Sequence, residues 1–249
     1  VVKKKYTMRN IKLILEYDGT DFHGWQFQPG LRTVQGEIQD VLKLIFQEDI
    51  TLIGAGRTDS GVHARGQAAN FLIPHPMPVL TIKAALNGNL SKDVRIIAAE
   101  EVSQSFHARY DAIKRHYSYT ITRQEKAINR YYMWCYKSDL NIEQMQQASN
   151  YLLGEHNFLA FCHADENIAN YNCFVEQARW EQNGDLLILN IVANRFLHNM
   201  VRIIIGTIIN VGRGFTIAED IPRILASMDR SNAGPTIPAK GLCLEKVYY

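Results

Sequence analysis

Residues 54–71, GAGRTDSGVHARGQAANF, place an acid, two arginines and a histidine in and beside a turn that already holds Gly54, Gly56, Gly61 and Gly66. A turn uses glycines for backbone freedom. It has no need of Arg57, Thr58 and Asp59 between them, or of His63 and Arg65 just behind. Phosphate binding is the first chemistry to test. Gly56 and Gly61 have P-loop spacing, but Val62 and His63 stand where Lys and Ser or Thr are required. The dinucleotide fingerprint also fails, because Asp59 occupies the place of its third glycine and a carboxylate there repels a pyrophosphate. No GxSxG elbow offers a serine nucleophile.

Metal chemistry fares no better. The eight histidines include no HExxH pair and no Cys/His set at zinc spacing. The densest cluster, Cys162, His163, Asp165 and Glu166, reads as a solvated loop rather than a ligand set. The metal reading is therefore disfavoured. What remains is one carboxylate, Asp59, beside an arginine. Local chemistry alone favours a turn residue bonding its own backbone over a reacting group.

The elements that must carry this turn follow from hydrophobic period. Residues 10–17 read as a strand, and Thr33 can cap a helix with Val34, Ile38, Val41, Leu42, Ile45 and Phe46 on one face. A strand near 50–55 enters the turn and QAANFLI leaves it. Thr81 can cap a short helix bearing Ile82, Ala85, Leu86 and Leu90, and DVRIIAAEEV is a fourth strand. The order βαββαβ is that of the ferredoxin-like split βαβ unit.

The second half repeats it. KRHYSYTIT alternates as a strand, sending Arg115, Tyr117 and Tyr119 to one face and His116, Ser118 and Thr120 to the other. Asn141 and Gln144 open a helix towards Gly154 in capping-box style. Two strands flank Asn183-Gly184, a strong hairpin signal. A helix over about 198–211 and the strand GLCLEKVYY complete the set. Residues 217–227 are extra: Thr216 and Glu219 suggest a capping box that Pro222 contradicts. The fold class is therefore α+β, two tandem ferredoxin-like units with mostly antiparallel sheets around a central cleft, divided as 1–104 and 105–249.

Composition permits this reading. With 249 residues, 47% hydrophobic and 21% charged, the chain can form one large or two smaller stable cores. A net charge of +2 allows a polyanionic partner without demanding one. Four cysteines without a CxxC pair fit reduced thiols in the cytoplasm. VVKKKYTMRN carries charge with no apolar stretch behind it, and MVRIIIGTIINV is too short to span a bilayer, so neither a signal peptide nor a membrane is expected.

The run GRTDSGVHARGQAANF resembles the catalytic motif of pseudouridine synthases, specifically the tRNA pseudouridine synthase A (TruA) family, in which the Asp of G-R-T-D-x-G-V-H-A is catalytic. FHARYDAIKRHYSYTI (106–121), FLHNMVR (196–202) and GPTIPAKGLCL (234–244) match the family in order, as does LEYDGTDFHGWQFQPGLRTVQGEIQ near the start.

The resemblance implies a homodimer that binds tRNA in a basic cleft. It further implies isomerisation of uridine to pseudouridine in the anticodon stem-loop, at tRNA positions 38–40, without cofactor or metal. The N1–sugar bond breaks, the base turns, and C5 joins the sugar. By the same resemblance Asp59 acts at the ribose of a flipped nucleotide, Arg202 is its ion-pair partner, and Arg57 fills the space left by the base or holds phosphate. Tyr117 is the ring on which uracil stacks, and Leu242 packs beside the base, although core packing explains Leu242 equally. Two rival readings stay open: an RNA-binding protein without catalysis, and a synthase acting on ribosomal RNA.

Overall fold

The computed structural model describes residues 7–165 and 168–249. The amino-terminal residues 1–6 and, in the Cys162–Glu166 cluster, Glu166 lie outside the described residues. By internal contacts the chain forms a first unit, ending at Ile113 and including Leu244–Tyr249, and a second, Lys114–Cys243. The sequence pattern assigns 105–113 and the last strand to the second half, so this grouping differs from a division at 104.

In the first unit, strand β1 (Arg9–Tyr17) buries Ile11, Leu13, Leu15 and Tyr17 at alternate positions, as a pleated strand with one core face does. Helix α1 (Val34–Phe46) follows, and Thr33 caps it by accepting from the Gly36 amide at 3.3 Å. Strand β2 (Ile53–Gly54) is only two residues long. Strand β3 (His63–Ile73) begins four residues earlier than QAANFLI suggests, so His63, Arg65 and Gly66 are strand residues and the true turn ends at Val62.

Helix α2 (Val79–Asn89) starts at Pro78, which supplies no side-chain cap. Thr81 is therefore an exposed first-turn residue rather than the cap. Strand β4 (Val94–Val102) closes the series. The sheet runs β4-β1-β3 with β2 also on β3, and each of these pairs is antiparallel. The final strand β10 (Leu242–Tyr248) lies beside β3, so closely that a Cβ on Gly66 would fall within the Glu245 carbonyl.

In the second unit, strand β5 (Lys114–Thr122) pairs antiparallel with β9 (Leu186–Ala193) and parallel with the two-residue β6 (Trp134–Cys135). Strand β8 (Asn172–Asn183) pairs with β9 on one side and with β7 (Gly154–Asn157) on the other, both antiparallel. The hairpin closes on the pair Asn183↔Leu186, so its turn residues are Gly184, at φ +60°, and Asp185.

Helix α3 (Ile142–Asn150) starts at Asn141, whose side chain accepts from the Gln144 amide at 3.0 Å. It ends four residues before Gly154, which opens β7 at φ +94°. The helix is stitched to β8 by Trp180 Nε1 donating to Ser149 Oγ at 2.9 Å and by Gln146, which bonds both the Ala178 carbonyl and the Trp180 amide. Helix α4 (Met200–Gly212) is buried on almost every face. Helix α5 (Ile221–Ser227) takes Pro222 in its first turn, where no amide is needed. The Thr216 capping box does not form, and Glu219 instead accepts from Gln147 at 2.6 Å.

Two helical glycines have opposite surroundings. A Cβ on Gly206 would penetrate the Pro235 carbonyl, while one on Gly88 meets nothing within 4 Å. Gly206→Ala is expected to lower stability by more than about 2 kcal/mol through overpacking, and Gly88→Ala to raise it by about 0.5–1 kcal/mol through helix propensity. Urea denaturation of both variants checks the pair of signs.

Candidate active site

The loop between β2 and β3 is held at nearly every residue by the segment 17–25 and by Gln67. The Ala55 amide donates to the Ala68 carbonyl at 2.8 Å, and Gln67, fully buried, donates from Nε2 to the Gly56 carbonyl at 3.0 Å. Thr58 is buried, with its hydroxyl 2.8 Å from Tyr17 Oη and its carbonyl accepting from the Trp25 amide at 3.1 Å. On the far side, the Phe22 carbonyl accepts from Ser60 Oγ and from the Gly61 amide, both at 3.2 Å. The Val62 amide closes the turn on the Asp59 carbonyl at 3.1 Å, with Gly61 at φ +76°. Between the fixed Thr58 and Ser60 stands Asp59, half-buried, and Arg57 is exposed one residue before Thr58.

Glycines let the two segments approach. A Cβ on Gly24, itself at φ +86°, would sit 2.6 Å from the Thr58 carbonyl oxygen, and one on Gly19 would fall within the Val62 carbonyl. His63 is buried, and its Nδ1 accepts from the Gly19 amide at 3.0 Å. The same nitrogen lies 3.2 Å from Asp18 Oδ1. A nitrogen cannot accept an amide proton and donate to a carboxylate at once, so the shorter amide bond defines its role. Arg65 points outward and pairs with Glu245 at 2.7 Å. Of the residues singled out in this stretch, His63 and Arg65 thus anchor the strand, while Arg57 and Asp59 are presented by the loop.

Arg32 backs the whole arrangement. Its guanidinium makes two 2.8 Å bonds to Asp93, two more to Glu37, and lies 4.1 Å from the centroid of the buried Phe22 ring. It thereby secures the residue whose carbonyl holds Ser60 and Gly61. The bonds from Arg32 hold the Asp93 carboxyl below its ordinary range, and desolvation opposes them only in part.

In the second unit, three of the stretches singled out in the sequence converge. Tyr117 is 8% exposed on β5, its ring edge-on to Phe196 at 5.1 Å. Tyr119 is fully buried and donates to the Pro238 carbonyl at 2.8 Å. Burial pushes its hydroxyl pKa far up, with Arg202 opposing. Arg202, half-buried on the first turn of α4, donates from Nε to the Ile237 carbonyl at 2.8 Å and from a terminal nitrogen to Asn199 Oδ1 at 2.6 Å. Asn199 adopts φ +61° to cap the helix with its backbone.

Leu242 is buried at the head of β10, just past Gly241, whose Cβ would clash with the Tyr119 ring. Arg202, Tyr119 and the 237–241 segment therefore share one packed neighbourhood of this unit, with Tyr117 two residues before Tyr119 on β5 and Leu242 one residue past Gly241. Cys162 and Cys173 are buried thiols, pushed up to about 11 and about 12 chiefly by burial. His163 lies against His198 with ring centroids 5.4 Å apart. Among the described residues no group of three or more His, Cys, Asp or Glu side chains could hold a metal ion. No helix of the described residues is long and apolar enough to cross a membrane.

The segments that build this geometry coincide with what the chain shares with known proteins. Residues 13–111 and 148–249 match the sequence profile of a family described as tRNA pseudouridine synthase. The chain belongs to the tRNA pseudouridine synthase family. It is 42% identical over 244 residues to "tRNA pseudouridine synthase A 2" of Clostridium perfringens, covering 97% of this chain and all of that protein. It is 43% identical over 243 residues to "tRNA pseudouridine synthase A" of Moorella thermoacetica, covering 96% and 99%. A Brachyspira hyodysenteriae protein of the same name is 43% identical over 247 residues, covering 97% and 99%. The family is one of isomerases acting on tRNA uridines.

Within this family frame, the supporting residues that motif reading passed over are Tyr17, Phe22, Trp25, Arg32 and Gln67. All but Gln67 lie in LEYDGTDFHGWQFQPGLRTVQGEIQ, so the signal was the density of that stretch rather than any single residue. Tyr17→Phe is expected to cost about 1–3 kcal/mol, because it deprives the buried Thr58 hydroxyl of its partner. Denaturant unfolding measures it.

The Arg32–Asp93 pair gives a pH signature. A carboxyl held low in the folded state adds stability that is complete above its unfolded pKa, about 3.9, and is lost as pH falls through the folded value. The stability gap between wild type and Arg32→Gln should thus be constant above about pH 5 and narrow below pH 4. A gap that widens on acidification would refute the pairing.

Proposed function

We propose that this enzyme isomerises uridine to pseudouridine in the anticodon stem-loop of tRNA, with Asp59 as the nucleophilic carboxylate. The observation that carries the reading is the loop itself. Six bonds from Tyr17, Phe22, Trp25, Gln67 and Ala68 immobilise its backbone and Thr58, and the residues it displays are Arg57 and Asp59. Such preorganisation of the backbone on either side of a carboxylate suits a group that must meet a reacting atom in one geometry. A turn aspartate of merely local use needs none of it.

The target uridine must leave its stack, at a cost of a few kcal/mol. In the proposed sequence the Asp59 carboxylate bonds to C1′ as the bond from C1′ to N1 breaks, and uracil turns. C5 then bonds to C1′ as the bond from C1′ to Asp59 breaks, which frees the carboxylate, the C5 proton leaves, and N1 gains a proton. Reactant and product are isomers, so no oxidant or reductant enters.

Tyr117 offers its ring to the uracil, Arg202 brings positive charge, Leu242 gives apolar packing, and Arg57 takes the space of the flipped base or a phosphate. The fixed Arg202 side chain, and Tyr117 and Leu242 flanking the Tyr119–Gly241 contact in sequence, support these roles. We further propose that the units are tandem ferredoxin-like domains. Support comes from the order β4-β1-β3-β2 with crossovers α1 and α2, and from the run β5-β9-β8 with α3 and α4. A homodimer follows from the family resemblance, and a cytoplasmic setting fits four free cysteines.

With tRNA carrying tritium at C5 of uridine, the enzyme should release label, chelator should leave the rate unchanged, and Asp59→Asn should release none. Equal release by Asp59→Asn would remove Asp59 from its role, and no release by either protein would favour RNA binding without catalysis. Mapping of pseudouridine in the product tests the anticodon stem-loop. Tyr117→Leu, which keeps bulk but drops the ring, is expected to lower kcat at least tenfold while tRNA affinity stays within about threefold, since stacking on the flipped base is worth about 1–3 kcal/mol. Wholesale loss of affinity would return Tyr117 to the fold.

A further inference from the structure

FHARYDA, the stretch opening at Phe106, takes no part in the chemistry above, yet the first unit devotes unusual resources to holding it. Two asparagines are buried in the middle of the sheet, Asn10 on β1 and Asn70 on β3. Asn70 Nδ2 donates to Asn10 Oδ1 at 2.9 Å, and Asn10 Nδ2 donates to the carbonyls of Ser103 at 3.0 Å and Phe106 at 2.8 Å. Asn70 Oδ1 accepts from the Ala108 amide at 2.8 Å, and Tyr249 Oη donates to the Ala108 carbonyl at 2.8 Å. Buried amide side chains of this kind are tolerated only when satisfied. Here what satisfies them is the turn.

The turn is also braced from within. His107 Nδ1 accepts from the amides of Arg109 at 3.2 Å and Tyr110 at 3.3 Å, and Asp111 Oδ2 accepts from the His107 amide at 2.9 Å. What this rigid turn displays is an aromatic ring. Tyr110 is 76% exposed and stacks on His107, with centroids 4.2 Å apart and planes 28° apart. The Arg109 guanidinium lies 5.8 Å from its centroid. An exposed tyrosine contributes nothing to the core, so the bracing serves the display.

We infer that the 107–110 turn is a stacking platform for an unpaired base of the RNA substrate, with Tyr110 as the ring that receives it, His107 as its backing and Arg109 as the cation beside it. Every base has a π-face, so such a platform takes single-stranded nucleotides with little sequence preference, and a guanidinium beside it suits the adjoining phosphate. Its role is to hold RNA outside the reacting nucleotide, and it rests on the reading that RNA is the substrate.

The test measures binding of labelled tRNA to the Asp59→Asn protein, which requires no turnover, at fixed salt. Adding Tyr110→Ala or Tyr110→Leu should weaken binding about tenfold, and Tyr110→Phe or Tyr110→Trp should stay within about twofold. Arg109→Gln should flatten the dependence of affinity on salt by up to one phosphate contact, while Tyr110→Ala leaves that slope unchanged. Because Tyr110 is exposed, thermal unfolding of these variants should match the parent.

Unchanged affinity in Tyr110→Ala overturns the inference alone. A Leu variant as tight as Phe overturns stacking as its basis. A change in sedimentation without a change in RNA affinity assigns the ring to contacts between protein copies and overturns it too. If the Asp59→Asn parent binds no tRNA, the substrate reading falls and takes this inference with it.

Discussion

The hydroxyl pair between Tyr17 and Thr58 is the interaction on which the candidate site depends. It joins the last residue of the first strand to the residue before Asp59, in a buried place where neither hydroxyl has water as a substitute. The Phe22 carbonyl does the same for the two residues after Asp59, and Arg32 locks Phe22 from behind. The carboxylate is thus carried on a stretch of chain held on both sides by bonds to a neighbouring segment. In the reaction proposed above, where a carboxylate must meet a flipped nucleotide in one geometry, that stiffness is what the fold would contribute.

Much of this fold was legible in the sequence because its strands have one core face or clear boundaries. The alternating Ile11, Leu13 and Leu15 and the capped α1 emerge where their patterns place them. The misreadings have particular causes. Residues 63–73 are buried on both faces, so β3 shows no alternation to mark its start, and Gly66 looks like part of a turn when it is in fact the place where β10 passes closest. Thr81 has the chemistry of a cap, but Pro78 fixes the backbone three residues earlier. Strands β6 and β7 are too short to carry a period, and they appear only through their partners.

The candidate site was legible in a different way. Asp59 and Arg57 stand out because a turn does not need them, whereas Tyr117 and Arg202 look like ordinary strand and helix residues and are singled out only by the family resemblance. Tyr119 shows why: two residues from Tyr117 on the same face of β5, it is wholly buried and bonded to the Pro238 carbonyl. No local pattern distinguishes two tyrosines at such spacing, because the difference lies in the 234–242 segment that packs across one of them. The support of the loop was hidden for the same reason, since Tyr17 and Thr58 are 41 residues apart.

The buried polar side chains reveal a rule of construction. Thr58 and Gln67 hold the Asp59 loop, His63 holds Gly19, Asn10 and Asn70 hold the 103–108 turn, and Thr207 holds Gly234 against α4. Burying any of these groups costs free energy unless it is bonded, and each of these bonds ties a loop to a strand or helix rather than extending the regular ladder of a sheet. Apolar packing alone would stabilise the strands and helices, but it would leave these loops free to choose among conformations. Directional bonds from the core remove that choice in these loops. Replacing one of these polar groups with an apolar isostere would then disturb the geometry of a loop more than the stability of the fold, which is how a core residue distant from the chemistry can govern it.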